Sequence, residues 1–83
     1  MVYVVYILES ESTQQLYKGQ TNDFNRRLKQ HLNNQVKSTK NRGPWVVYKT
    51  IEVNSRAEAM QLELKLKKMK NPARVKDYLK KNY

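Results

Sequence analysis

Tyr17–His31, YKGQTNDFNRRLKQH, turns a short strand into a helix and brings polar side chains with it. Thr21, Asn22 and Asp23 are short polar residues of the kind that accept hydrogen bonds from the unpaired N–H groups at a helix start. Phe24, Leu28 and Leu32 succeed them at four-residue intervals and predict an apolar stripe on a helix over 23–33. Arg27 and His31, one turn apart, then stand along the edge of that stripe. A cation and the single histidine are therefore expected to look toward the strand that carries Tyr17.

Upstream, VYVVYIL at 2–8 is β-branched or aromatic almost throughout and reads as a buried strand. Glu9 to Gln14 is polar and makes a turn, and LYKG at 16–19 reads as a second strand. The connection of six residues suits an antiparallel hairpin. A hairpin symmetric about Glu11 and Ser12 sets Tyr6 opposite Tyr17, with both side chains on one face.

Downstream, NNQVKSTKNRGP at 33–44 reads as a mobile basic loop and WVVYKTIEV at 45–53 as a third strand. Ser55 with Glu58 three residues on forms a capping box that opens a second helix, with Ala59, Leu62, Leu66 and Met69 as its core stripe. Glu63 lies on the margin of that stripe. A carboxylate so close to apolar neighbours needs a cation, a metal or hydrogen bonds, and Lys67 one turn later is the plain structural partner. Asn71-Pro72 ends this helix and begins another, which turns Val75, Tyr78 and Leu79 inward.

The chain has 83 residues, 39% hydrophobic and 29% charged, which predicts one small domain over 1–83 with an ionic surface. No cysteine is present, so disulfides, thiolate nucleophiles and cysteine zinc sites are excluded, and one histidine excludes a histidine-rich metal cluster. No apolar run is long enough to span a bilayer, and MVYVVYIL lacks the flanks of a signal peptide, so a cytoplasmic location is expected and no membrane partner. Seventeen Lys and Arg against seven Asp and Glu give a net charge of +10. Such a surface attracts polyanions, and nucleic acid is the commonest of them, although an anionic membrane surface or a merely solubilising role also accounts for charge. Lys18, Lys37, Lys40, Arg42 and Lys67 are the cations expected to meet phosphates.

Tyr6 on a first strand, Tyr17-Lys18-Gly19 on a second, Arg27 and His31 on a helix and Glu63 on a later helix form an order that resembles the GIY-YIG endonuclease family. Val4-Val5-Tyr6 and Tyr17-Lys18-Gly19 correspond to its two name-giving motifs, and the likeness is nearest to the single-domain branch related to the UvrC N-terminal nuclease domain. Val4 stands where the motif has Gly, and Gln20 where the repair enzymes carry Lys. Asn71, the candidate in order for the family's final Asn, is already explained as a helix cap.

The resemblance implies an α+β fold, a three-stranded antiparallel sheet flanked by about three helices, and a metal-dependent endonuclease acting on DNA or structured nucleic acid with low sequence specificity. It implies Glu63 as the ligand of one Mg2+ or Mn2+ ion and Arg27 as the partner of a non-bridging phosphate oxygen. Tyr6 is the first choice for the base that activates water, with Tyr17 as its neighbour and alternate, their phenolates favoured by Arg27, His31 and the metal. His31 is either a relay or an orienting group. All five side chains are expected to line one concave, positive patch, and a partner protein could supply substrate choice.

Taken singly, each residue has an ordinary explanation. A strand tyrosine packs, Arg27 pairs with Asp23, Glu63 pairs with Lys67, and Gly19 relieves crowding where strand gives way to loop. Jointly, the types and their order are specific. The rival readings are a non-catalytic basic domain that binds nucleic acid on the same scaffold, and an interaction module for RNA or protein.

Overall fold

A computed structural model describes residues 2–37 and 39–83. The elements run β1 (Tyr3–Ser10), β2 (Leu16–Thr21), α1 (Phe24–Leu32), β3 (Trp45–Val53), α2 (Arg56–Lys68) and α3 (Pro72–Asn82). The sheet has the order β2-β1-β3, antiparallel throughout, as expected. Its central strand is covered on both faces, which is why β1 is a continuous apolar run rather than an alternating one. Val5 and Ile7 pack with Ile51, Ala59, Leu62, Leu66, Val75 and Leu79 under α2 and α3. Tyr6 and Leu8 pack on the other face with Trp45, Tyr17, Phe24 and Leu28, under α1.

Local chemistry sets the helix ends. The Asp23 carboxylate accepts the Arg26 N–H at 3.2 Å, Ser55 Oγ accepts the Glu58 N–H at 3.2 Å, and Asn71 Oδ1 accepts the Ala73 N–H at 2.8 Å ahead of Pro72. The capping box of α2 closes one residue early, since Glu58 Oε2 takes the Asn54 N–H at 3.3 Å instead of that of Ser55.

Three expectations are corrected. The hairpin pairs Tyr6 with Gly19 and Leu8 with Tyr17, so its centre lies between Ser12 and Thr13 and not between Glu11 and Ser12. Gln14, at φ 62, takes the left-handed turn conformation that fixes this loop. The slip is two residues, and an even slip keeps every side chain on its face, so Tyr6 and Tyr17 still share one. On α1, Leu32 is 54% exposed while His31 is 1% exposed. At 3.6 residues per turn, position 31 lies about 20° from Phe24 around the helix and position 32 about 80°, so the buried stripe runs Phe24, Leu28, His31. The loop 33–44, read as mobile, contributes two buried side chains, Val36 and Thr39. It is also tied to the hairpin by the Ser10 hydroxyl, which donates to the Arg42 carbonyl at 2.6 Å.

A bulge in β3 decides which face of the sheet Trp45 takes. Ile7 pairs with Lys49 but Leu8 pairs with Val47, leaving Tyr48 as the extra residue. Side chains alternate along a strand, so Trp45 and Ile51, six positions apart, would share a face in a regular one. The bulge reverses that. Ile51 faces α2 and α3, and Trp45 faces the α1 side.

Candidate active site

Tyr6 sits mid-strand on the central strand, 1% exposed, and the residue opposite it is Gly19. A Cβ at Gly19 would lie 2.6 Å from both Cζ and Oη of Tyr6 and 3.0 Å from Cε1 of Tyr17. The absence of a side chain at Gly19 is thus what lets the end of the Tyr6 phenol sit against β2. Gly19 relieves crowding as anticipated, but the crowding comes from across the sheet and not from a strand end, since β2 continues to Thr21. Tyr17, two residues before Gly19, returns to the same face, and its ring centroid lies 6.1 Å from that of Tyr6.

The α1 helix brings His31 and Arg27 onto this pair. Tyr6 Oη lies 2.9 Å from His31 Nε2, and the Tyr17 and His31 rings are 4.8 Å apart. Arg27 does not pair with Asp23, which is engaged in the cap. It donates from Nη1 to Gln30 Oε1 at 2.9 Å, and its guanidinium acts on both phenols, Tyr6 foremost, which raises its own pKa. Beside it an open cleft of about 260 Å³ is lined by Thr21, Asn22, Asp23, Arg26, Arg27 and Gln30.

Electrostatics assign the buried pair differently from the sequence expectation. Burial pushes the Tyr6 phenol up to about 12, a rise that the neighbouring Arg27 only partly offsets. Burial, then the charge of Arg27, pushes His31 down to about 4. At neutral pH both are uncharged. His31 therefore adds nothing to the positive field, and Tyr6, enclosed and held protonated, is poorly suited to be the base. Tyr17, partly exposed on the same face, is the phenol that water can reach.

Glu63 lies elsewhere. Its helix packs on the face of Val5 and Ile7, opposite to that of Tyr6, and its carboxylate meets Lys67 Nζ at 2.6 Å. Lys18, which pairs with Ile7 across the strands, shares that face, and burial followed by the charge of Lys67 lowers its pKa. The single patch expected of all five side chains is thus two groups. Tyr6, Tyr17, Arg27 and His31 stand on one side of the sheet, and the α2 layer with Glu63, Lys67 and Lys18 on the other. Edge strand β2 runs between them, with consecutive residues Tyr17 and Lys18 turned to opposite sides.

Among the described residues no three His, Cys, Asp or Glu side chains converge as a protein-built metal cage requires. Glu63 nevertheless suits a hard cation that takes its other ligands from water and phosphate. Its side chain is 15% exposed, and an ammonium already stands against it. Lys37, Lys40 and Arg42 are exposed on the loop before β3. Thr39, which reaches the histidine from this loop, and Trp45, which bonds the Thr39 carbonyl from the start of β3, carried no functional signal in the sequence.

Comparison with known proteins agrees with the fold and the family. A family model described as the GIY-YIG catalytic domain matches residues 2–78. The chain is similar to a solved structure, the solution NMR structure of the UPF0213 protein BH0048 from Bacillus halodurans. The identity is 36%, with 95% of this chain and 82% of that one covered and a TM-score of 0.59. No curated protein matches, and no helix among the described residues is long and apolar enough to cross a membrane.

Proposed function

The chain belongs to the GIY-YIG catalytic-domain family, and we propose that it is a divalent-metal-dependent endonuclease that hydrolyses phosphodiester bonds in DNA or structured nucleic acid. The observation that carries this reading is the meeting of two tyrosines, an arginine and a neutral histidine on one face of the sheet, with the Glu63 carboxylate on α2, the helix that covers the other face.

Tyr17, once its own proton has passed to solvent, is the group that removes a proton from the attacking water, since it alone of the two phenols is reachable from solvent. Tyr6 and His31 form the buried support that orients it. Arg27 pairs with a non-bridging oxygen as negative charge builds on the phosphate. Glu63, released from Lys67, would hold a Mg2+ or Mn2+ ion. When bound, such an ion neutralises the scissile phosphate and the departing oxygen. Lys18, Lys37, Lys40, Arg42 and Lys67 hold the backbone of the substrate, which gives affinity with little sequence preference. The domain works in the cytoplasm, and a partner protein directs it to particular structures.

The test is strand scission by purified protein on plasmid DNA and on labelled branched, single-stranded and RNA substrates. Cleavage is expected with magnesium or manganese and is expected to stop when a chelator is added. Tyr17→Phe should slow it by about 10²-fold or more, and Glu63→Ala should abolish it while leaving salt-sensitive binding in place. A wild-type protein that leaves every substrate whole with either metal defeats the proposal. The Lys67 ion pair on Glu63 favours one second reading, a basic domain that binds nucleic acid without cutting it, and that outcome would select it.

A further inference from the structure

The loop between α1 and β3 inserts one side chain into the cluster. Thr39 is fully buried, and its Oγ1 lies 2.8 Å from His31 Nδ1, the ring nitrogen turned away from Tyr6. A hydroxyl has a single proton to give. Nδ1 can give or take a proton, but the Val36 carbonyl, 3.4 Å from Oγ1, can only accept, so the one arrangement that makes hydrogen bonds of both contacts sends the Thr39 proton to Val36. Oγ1 therefore meets Nδ1 as an acceptor, and Nδ1 carries the imidazole proton. Nε2 is left as a bare lone pair, 2.9 Å from the Tyr6 hydroxyl. Trp45, brought to this side by the bulge in β3, fixes the arrangement from behind: its Nε1–H donates to the Thr39 carbonyl at 3.0 Å.

The structure assigns Thr39 as the positioning residue that holds His31 in the Nδ1–H tautomer, so that Nε2 accepts the Tyr6 proton and the Tyr6 oxygen keeps its lone pairs for Arg27. The reverse tautomer would have Nε2–H donate to Tyr6, taking one of the phenol's lone pairs from Arg27 and turning the phenolic proton toward Tyr17. A residue outside the motifs thereby sets the direction of the hydrogen bond between Tyr6 and His31. Its effect on strand scission rests on the nuclease reading; the tautomer does not.

The test uses the fact that this chain has a single histidine. Long-range 1H–15N correlation spectra of imidazole-labelled protein at neutral pH should show a protonated, pyrrole-type nitrogen at Nδ1 and a pyridine-type nitrogen at Nε2. Thr39→Ser should preserve that pattern, and Thr39→Val should move the proton to Nε2 or divide it between the two. Emission from Trp45 reports whether each variant keeps its fold. A wild-type spectrum with the proton on Nε2 overturns the assignment whether or not Thr39→Val folds. A folded Thr39→Val with an unchanged spectrum also overturns it.

In the cleavage assay Thr39→Ser should stay near the wild-type rate. Thr39→Val should fall by about tenfold or more, as the loss of an orienting partner of a functional histidine does. A reversed tautomer with undiminished cleavage would overturn the positioning role. If no form cuts any substrate but the spectra are as expected, the tautomer assignment stands and the nuclease reading falls.

Discussion

Burial moves the pKa values of Tyr6 and His31 in opposite directions, up to about 12 and down to about 4, and the same physical cause leaves both neutral. For His31 this links folding to pH. An unfolded imidazole protonates near 6.5 and the folded one near 4, so between those values the unfolded chain binds more protons. The contribution is fully present above pH 6.5 and is lost as pH falls through that window. The shift corresponds to about 3 kcal/mol. Urea unfolding at intervals from pH 7.5 to 4 should show wild-type stability dropping by about that much relative to His31→Gln, and parallel curves would refute the assignment. Gly19→Ala tests the other side of the cluster. Its Cβ meets ring atoms that cannot fold away, so about 1 to 3 kcal/mol of stability should be lost and Tyr6 displaced. An unperturbed Tyr6 ring spectrum in that variant would show that the sheet yields instead.

At the scale of elements, what could be read from the sequence was whatever the neighbouring residues decide. Ser55, Asn71-Pro72 and Asp23 cap helices through bonds that span three residues or fewer, and β3 occupies the nine positions its alternation suggested. The misread features depend on geometry between elements. The hairpin register comes from the left-handed turn at Gln14, whose identity gives no warning of it. His31 displaced Leu32 from the buried stripe because strict four-residue spacing drifts around a helix, and because Thr39 and Tyr6 satisfy a polar ring there. The bulge at Tyr48 left no mark in the composition of β3. Deleting Tyr48 should turn Trp45 to the opposite face and unseat Thr39. The lone tryptophan then reports directly, its emission shifting to the red as thermal stability falls. A deletion variant with wild-type emission and melting would show that β3 reaches the same packing by another register.

At the scale of the molecule, the family was legible because five residue types in order are specific, but the division of those residues between two sides of the sheet was not. Sequence order says that Tyr17 and Glu63 belong to one constellation; only topology says that edge strand β2 lies between them. The division makes the position of the substrate testable. A phosphodiester backbone served by both groups must cross the β2 edge, where Lys18 stands beside Lys67. The opposite edge carries its own cations: Lys49 donates to the Tyr83 carbonyl at 3.1 Å, which sets the end of α3, with Lys80 and Lys81, beside β3. Both edges add to the net charge of +10 and so to long-range attraction. Only cations in contact with phosphates release counterions. Binding of a short DNA duplex measured across a range of salt concentrations should therefore lose about one unit of log–log slope in Lys18→Ala. Lys80→Ala and Lys81→Ala should weaken binding slightly at low salt and leave the slope alone. An equal loss of slope in the α3 variants would place the nucleic acid on the β3 edge, away from the tyrosines, and would separate the binding surface from the cluster proposed as catalytic.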